Sequence, residues 1–220
     1  MDTESTFING FMRSMSVIIV SELGDNTFFL AAIMAMKHSR LAVLMGNLAA
    51  QIFMTTFSTA IGYAATMIPG AVTHFISSAL FGLFGTKMLK EALHMSTNKA
   101  AEEYQEAQDV LKEDERKKKQ NDTVMFLKGI VSPVFLQSFT LTFMAEWGDR
   151  SQITTIILAV KENLCGVLLG TFIGNALCTG LAVLGGGLIA KRISVRTVTV
   201  LGGLLFLFFA VSSLLTEPEE

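Results

Sequence analysis

Four stretches of this chain, residues 41–86, 129–145, 163–190 and 197–216, contain no Asp, Glu, Lys or Arg. A bilayer core is crossed by about 20 apolar residues in a helix, so runs this long read as membrane spans and not as the interior of a water-soluble domain. Residues 41–86 suffice for two spans, with the turn at Pro69-Gly70. Only 16% of the chain is charged and mean hydropathy is +0.52, against about 25% charge in an ordinary soluble domain. The first apolar stretch lacks a basic leader region and runs on through an acidic motif, so it reads as a retained span. The expected helices lie near 11–36, 41–67, 72–94, 129–160, 164–189 and 195–215. Cys165 and Cys178 fall on one of them, their backbones about 20 Å apart and too distant to bridge. Both read as small buried hydrophobes.

Shifted by 124 positions, the chain partly matches itself: Glu22 falls on Glu146, Gly24 on Gly148, Asp25 on Asp149 and Thr27 on Ser151, and the register continues through Gly46/Gly170, Thr55/Thr179 and Gly62/Gly186. Three helices per copy is an odd number, so the second copy enters the membrane from the opposite side. The expected fold is an all-α integral membrane protein, with six transmembrane helices as two inverted three-helix repeats. The first covers residues 1–94 and the second 129–220, and a charged cytosolic linker, 95–128, joins them. The linker reads as a solvated helical arm or a flexible tether without chemistry of its own. With the N-terminus placed away from the cytosol, 14 of the 17 Lys and Arg fall in cytosolic loops, which the positive-inside rule favours. Both termini then face the lumen or exterior.

Two acidic pairs interrupt this apolar pattern: Glu22 and Asp25 near the middle of the first span, Glu146 and Asp149 near the middle of the fourth. A charge at mid-bilayer costs at least about 2.5–3.5 kcal/mol on insertion scales, and such residues usually mark an ion path. Spacing of three places each pair on one face of a continuous helix, and inverted repeats point to a shared central site of the kind transporters alternate between two faces. Four carboxylates would then surround one metal-binding cavity. Their hard oxygens suit Ca²⁺ and Mn²⁺ more than Zn²⁺ or Cu²⁺, which recruit His or Cys. His38, His74 and His94 all fall near helix ends instead. Supporting oxygen donors are Thr27, Ser151 and Gln152, with Gln137 and Thr140 earlier on the fourth span. Arg150 is the one cation in the region, suited to holding an acid in place. Crowded carboxylates repel one another, so protons and metal compete for them. No cofactor or nucleic-acid partner is expected, only the transported ions and the lipid bilayer. Gln51 and Asn175, also related by the shift, read as interhelical hydrogen-bonding residues, with completion of the cation shell as the alternative, and Trp147 as a packing residue or a cavity wall.

The motifs "SELGDNT" and "AEWGDRS", with "LTFMAEWGDRSQ", "CTGLAV" and "RISVRTVTV", resemble the duplicated signature of the Golgi divalent-cation/proton antiporter family (uncharacterised protein family 0016), whose animal member is transmembrane protein 165. The resemblance implies a secondary transporter, not an enzyme, exchanging Ca²⁺ or Mn²⁺ for protons and moving the cation from cytosol to Golgi lumen. It also implies cation binding by Glu22, Asp25, Glu146 and Asp149. The family usually carries a basic residue after the first Asp, where this chain has Asn26. That change leaves the cavity more negative and favours a tighter hold on a cation or proton. The rival readings are a small-solute exporter or a passive cation channel, then an intramembrane aspartyl protease, then a regulatory scaffold. Proteolysis does not require each Asp to travel with a Glu in a repeated motif, and cation chelation does.

Overall fold

The computed structural model describes residues 3–95, 99–120, 132–190 and 194–215. Within them lie nine helices: α1 Thr3–Glu22, α2 Asn26–Lys37, α3 Arg40–Ala65, α4 Gly70–His94, α5 Lys99–Gln120, α6 Pro133–Glu146, α7 Arg150–Lys161, α8 Leu164–Ala190 and α9 Val195–Leu215. Residues 121–131, which hold the end of the expected linker and the start of the second repeat, lie outside the described residues, as do Lys191 and Arg192.

The expected first and fourth helices are each two. The chain breaks between Glu22 and Asn26 and again between Glu146 and Arg150. The cause is local. Gly24 and Gly148 take φ of +80° and +78°, a left-handed conformation that stops a helix and that a side chain resists. Asp25 and Asp149, with extended backbones, then stand at the N-cap of the next helix. The axis turns by 67° between α1 and α2.

By length and hydropathy three helices can cross a bilayer: α3, α8 over Leu164–Gly185, and α9; the bent pair α1–α2 is a fourth candidate. At 12 residues α2 spans only about 18 Å, and Thr27 to Ala35 are all buried, so it is an interior element. Its apolar side chains join Val43, Ala182 and Val183 in one cluster, while Phe81, Phe84, Phe206 and Phe209 pack α4 against α9 in another. The outward faces carry large apolar side chains such as Phe75, Leu83, Leu204 and Phe208, the surface expected of helices that meet lipid tails.

Close crossings hold the bundle together. α1 packs on α8 and α3 on α6, while α2 lies against α8 and α7 against α3. A Cβ on Gly46 would come within 2.6 Å of the Phe135 carbonyl oxygen, and one on Gly170 within 2.4 Å of that of Phe11. Only a missing side chain lets these backbones meet. Gly203 serves the same purpose between α9 and Leu89 of α4.

The charged segment is more ordered than its composition suggests. α5 is a single helix whose Ala107 and Leu111 are buried in the α2 cluster. Tyr104 meets Phe29 edge-on, and Gln137 of α6 donates to Asp114 at 2.8 Å. Cys178 is buried as expected, whereas Cys165 is exposed.

Gly170→Val should force α1 and α8 apart at a cost of about 1–3 kcal/mol. Thermal unfolding in detergent checks this; an unchanged midpoint would contradict the close crossing.

Candidate metal centre

Each helix break buries the glutamate that precedes it, although Trp147 and Gly148 of the second break are themselves exposed. Glu22 is the last residue of α1 and Glu146 the last of α6; they are 2% and 5% exposed. Each keeps one oxygen in a hydrogen bond from the next half-helix: Thr27 Oγ1 donates to Glu22 at 3.1 Å, and Ser151 Oγ donates to Glu146 at 3.0 Å. The other oxygen of each glutamate is buried with no hydrogen-bond partner among the described residues. Buried polar atoms are rarely left so, and an orphaned one calls for an explanation such as an ion.

Among the described residues, Glu22, Glu146 and Asp149 each offer a carboxylate oxygen, and the three atoms lie within 4.8 Å of one another. The set draws on both halves of the chain. Asp149 also accepts from the Ser151 backbone N–H at 3.4 Å. Asp25 stands outside this trio. Its Oδ1 lies 3.7 Å from Nη2 of Arg150, whose Nη1 is 3.9 Å from Glu91. The expected placement of each pair on one face of a continuous helix is therefore corrected: Asp25 and Asp149 belong to the breaks and stand at the N-caps of α2 and α7. Those helix N-termini carry partial positive charge toward the acids.

The remaining expected residues divide. Thr27 and Ser151 touch the glutamates. Gln152 accepts from the Gly148 N–H at 2.6 Å and so braces the second loop. Asn26 has a buried Oδ1 without a partner among the described residues. Gln137, engaged by Asp114, and Thr140, exposed, take no part in the trio. Trp147 is 56% exposed and stacks on Phe57 at 5.7 Å, a packing residue on the outer surface. Gln51 exchanges hydrogen bonds with Thr179 at 3.0 and 3.1 Å, linking α3 to α8 as expected. Asn175 lines a small cavity beside Glu146, and its Oδ1 is buried without a partner among the described residues. Sequence reasoning missed Asn47, which bonds Thr142 of α6 and lines a small cavity beside Glu22, and its repeat mate Thr171, beside Glu146. The signal was present: Asn47, Gln51, Thr55 and Thr59 recur every fourth residue of an apolar helix.

A larger cavity of about 580 Å³ opens beside the first loop, with Asp25, Glu91, Lys99, Glu102, Glu103 and Arg150 on its walls. It gives a polar approach to the Asp25 side of the buried acids.

Two segments of the chain, residues 10–96 and 134–220, match the family described as divalent cation/proton antiporter GDT1. The chain belongs to the GDT1 family. The second matched segment begins and ends 124 positions after the first, the same offset that superposes the acidic motifs. GDT1-like protein 3 of Arabidopsis thaliana is 42% identical, over 98% of this chain and 74% of the relative. GDT1-like protein 5 of the same plant is 41% identical, covering 97% and 99%. A GDT1-like protein of Synechocystis is 42% identical, covering 96% and 98%. These plant and cyanobacterial relatives establish the family without singling out its animal member. No solved structure matches the chain. GDT1 proteins exchange divalent cations for protons across a membrane; they are transporters and not enzymes.

Thr27→Val and Ser151→Ala each remove a hydrogen bond that orients a buried glutamate. At about 1 kcal/mol per bond, each should weaken divalent-cation binding roughly fivefold, measured by titration calorimetry on purified protein.

Proposed function

We propose that this GDT1 protein is a secondary transporter that exchanges Ca²⁺ or Mn²⁺ for protons at a single buried carboxylate site. The observation that carries the reading is the trio of Glu22, Glu146 and Asp149, whose oxygens converge within 4.8 Å from both halves of the chain. Asp25 completes the acidic set from the wall of the adjoining cavity. An all-oxygen, multiply charged site suits a hard divalent ion. The same oxygens take protons when the metal leaves, because the buried like charges repel one another unless something neutralises them. A pocket that must be filled by one or the other before it changes face couples the two flows, so a proton gradient drives the cation uphill.

The transport cycle is read as alternating access between two inverted repeats. The six spans are then the bent pair α1–α2, α3, α4, the bent pair α6–α7, α8 and α9, with α5 in the linker. Helix pairing supports this. Exchanging the halves turns the α1–α8 contact into α6–α3 and the α2–α8 contact into α7–α3, and both partners of each exchange are present. The distribution of Lys and Arg favours lumenal termini and a cytosolic linker. In that orientation the cavity walled by α5 residues opens toward the cytosol, and the cation moves to the lumen. The resemblance to the Golgi antiporters makes the Golgi membrane the expected home.

Proteoliposomes bearing a pH gradient provide the test. Entry of Mn²⁺ and Ca²⁺ should accompany proton release and stop when the gradient is collapsed. Glu146→Gln should abolish both fluxes in protein that still purifies as a folded species. Flux independent of the gradient would favour a channel, and normal exchange by Glu146→Gln would remove the site assignment.

A further inference from the structure

The two acidic loops match in sequence but are not used alike. Asp149 shares the trio with both glutamates, whereas its repeat mate Asp25 is turned to Arg150. The loops differ at one chemically decisive place. The first residue of α7 is Arg150, and 124 positions earlier the first residue of α2 is Asn26.

We infer that Arg150 is a tethered counter-ion that holds Asp25 out of the cation shell, and that the uncharged Asn26 leaves Asp149 free to ligate. The inference rests on the carboxylate site proposed above and assigns unequal parts to its members. The Arg150 guanidinium forms two ion pairs at longer than hydrogen-bond distance, Nη2 with Asp25 at 3.7 Å and Nη1 with Glu91 of α4 at 3.9 Å. This keeps its charge on the cavity side and its guanidinium engaged with the opposite half of the chain. A divalent ion reaching Asp25 has to displace that guanidinium. No fixed charge has to leave Asp149, because an amide stands where the second arginine would be. Arg150 is thus a positioning residue that sets how many carboxylates the ion meets, and Glu91 receives the guanidinium when Asp25 is taken by metal. The site is a three-acid site with a fourth acid in reserve, and the two sides of the exchanger are unequal.

Mn²⁺ binding to the purified full-length protein at fixed pH tests this. Arg150→Asn should bind Mn²⁺ about tenfold more tightly, and Asn26→Arg more weakly by a similar factor, each roughly the effect of one charge interaction. Adding Asp25→Asn to Arg150→Asn should cancel the gain, because the gain comes from released Asp25 and not from general loss of positive charge. Unchanged or weaker binding by folded Arg150→Asn overturns the inference, as does a gain that survives Asp25→Asn. Should Arg150→Asn aggregate, Asn26→Arg decides: weaker binding supports the inference and unchanged binding overturns it. Glu146→Gln separates the two levels. If it binds like wild type, the carboxylate site itself fails. If it loses Mn²⁺ while Arg150→Asn shows no gain, only the role of Arg150 fails.

Discussion

Negative charge confined inside an apolar bundle governs this structure. Two glutamates sit almost completely buried, each with one oxygen satisfied by a neighbouring hydroxyl and the other left open. Such an arrangement is expensive in a membrane unless a positive partner is available. Among the described residues no lysine or histidine pairs with the trio; the nearby arginine faces Asp25 and Glu91 instead. The remaining candidates are small and mobile: protons and a metal ion. The chemistry of a GDT1 exchanger follows from what the bundle withholds as much as from what it supplies.

The broken helices make the arrangement possible. A continuous helix would bond its own carbonyls and amides along the whole span and offer only side chains to a central cavity. By ending α1 and α6 at a glutamate and starting α2 and α7 after an aspartate, the chain brings Glu22 of one half beside Glu146 and Asp149 of the other, with Asp25 on the wall of the adjoining cavity. The polar line of Asn47, Gln51 and Thr55 on α3, with Thr171, Asn175 and Thr179 on α8, then surrounds the acids with weaker oxygen and amide groups. Glycines at the crossings bring these polar lines close enough to matter.

How much of this was legible follows from which signals are local. Hydropathy and the 124-residue shift identified the apolar helices, the acidic motifs and Thr27 and Ser151 as their companions. The breaks were overlooked because the residues around them are as apolar as a span. Yet Gly followed by Asp is a helix stop followed by a helix start, at both sites. Gln137 and Thr140 were nominated by proximity in sequence alone. Nine residues before Glu146, Gln137 lies about half a helical turn away from it in phase, and it meets Asp114 of α5 instead. Thr142, four residues before Glu146 and nearly in phase, reaches Asn47. The docking of α5 rests mainly on Ala107 and Leu111, with the partly buried Ala100 and Tyr104 beside them, in a strongly charged segment where so faint a stripe does not separate an arm from a tether. The unequal fates of Asp25 and Asp149 depend on contacts across the two halves, which no local pattern carries.

The seating of α5 has a mechanical meaning. Its Leu111 and Ala107 are sealed against α2, the innermost half-helix, and Lys37 near the end of α2 lies 3.9 Å from Glu115 of the arm. Displacing α2 therefore drags the arm along, and loading the arm strains α2. The charged arm and the innermost half-helix are thus one packed unit that begins at the first acidic loop.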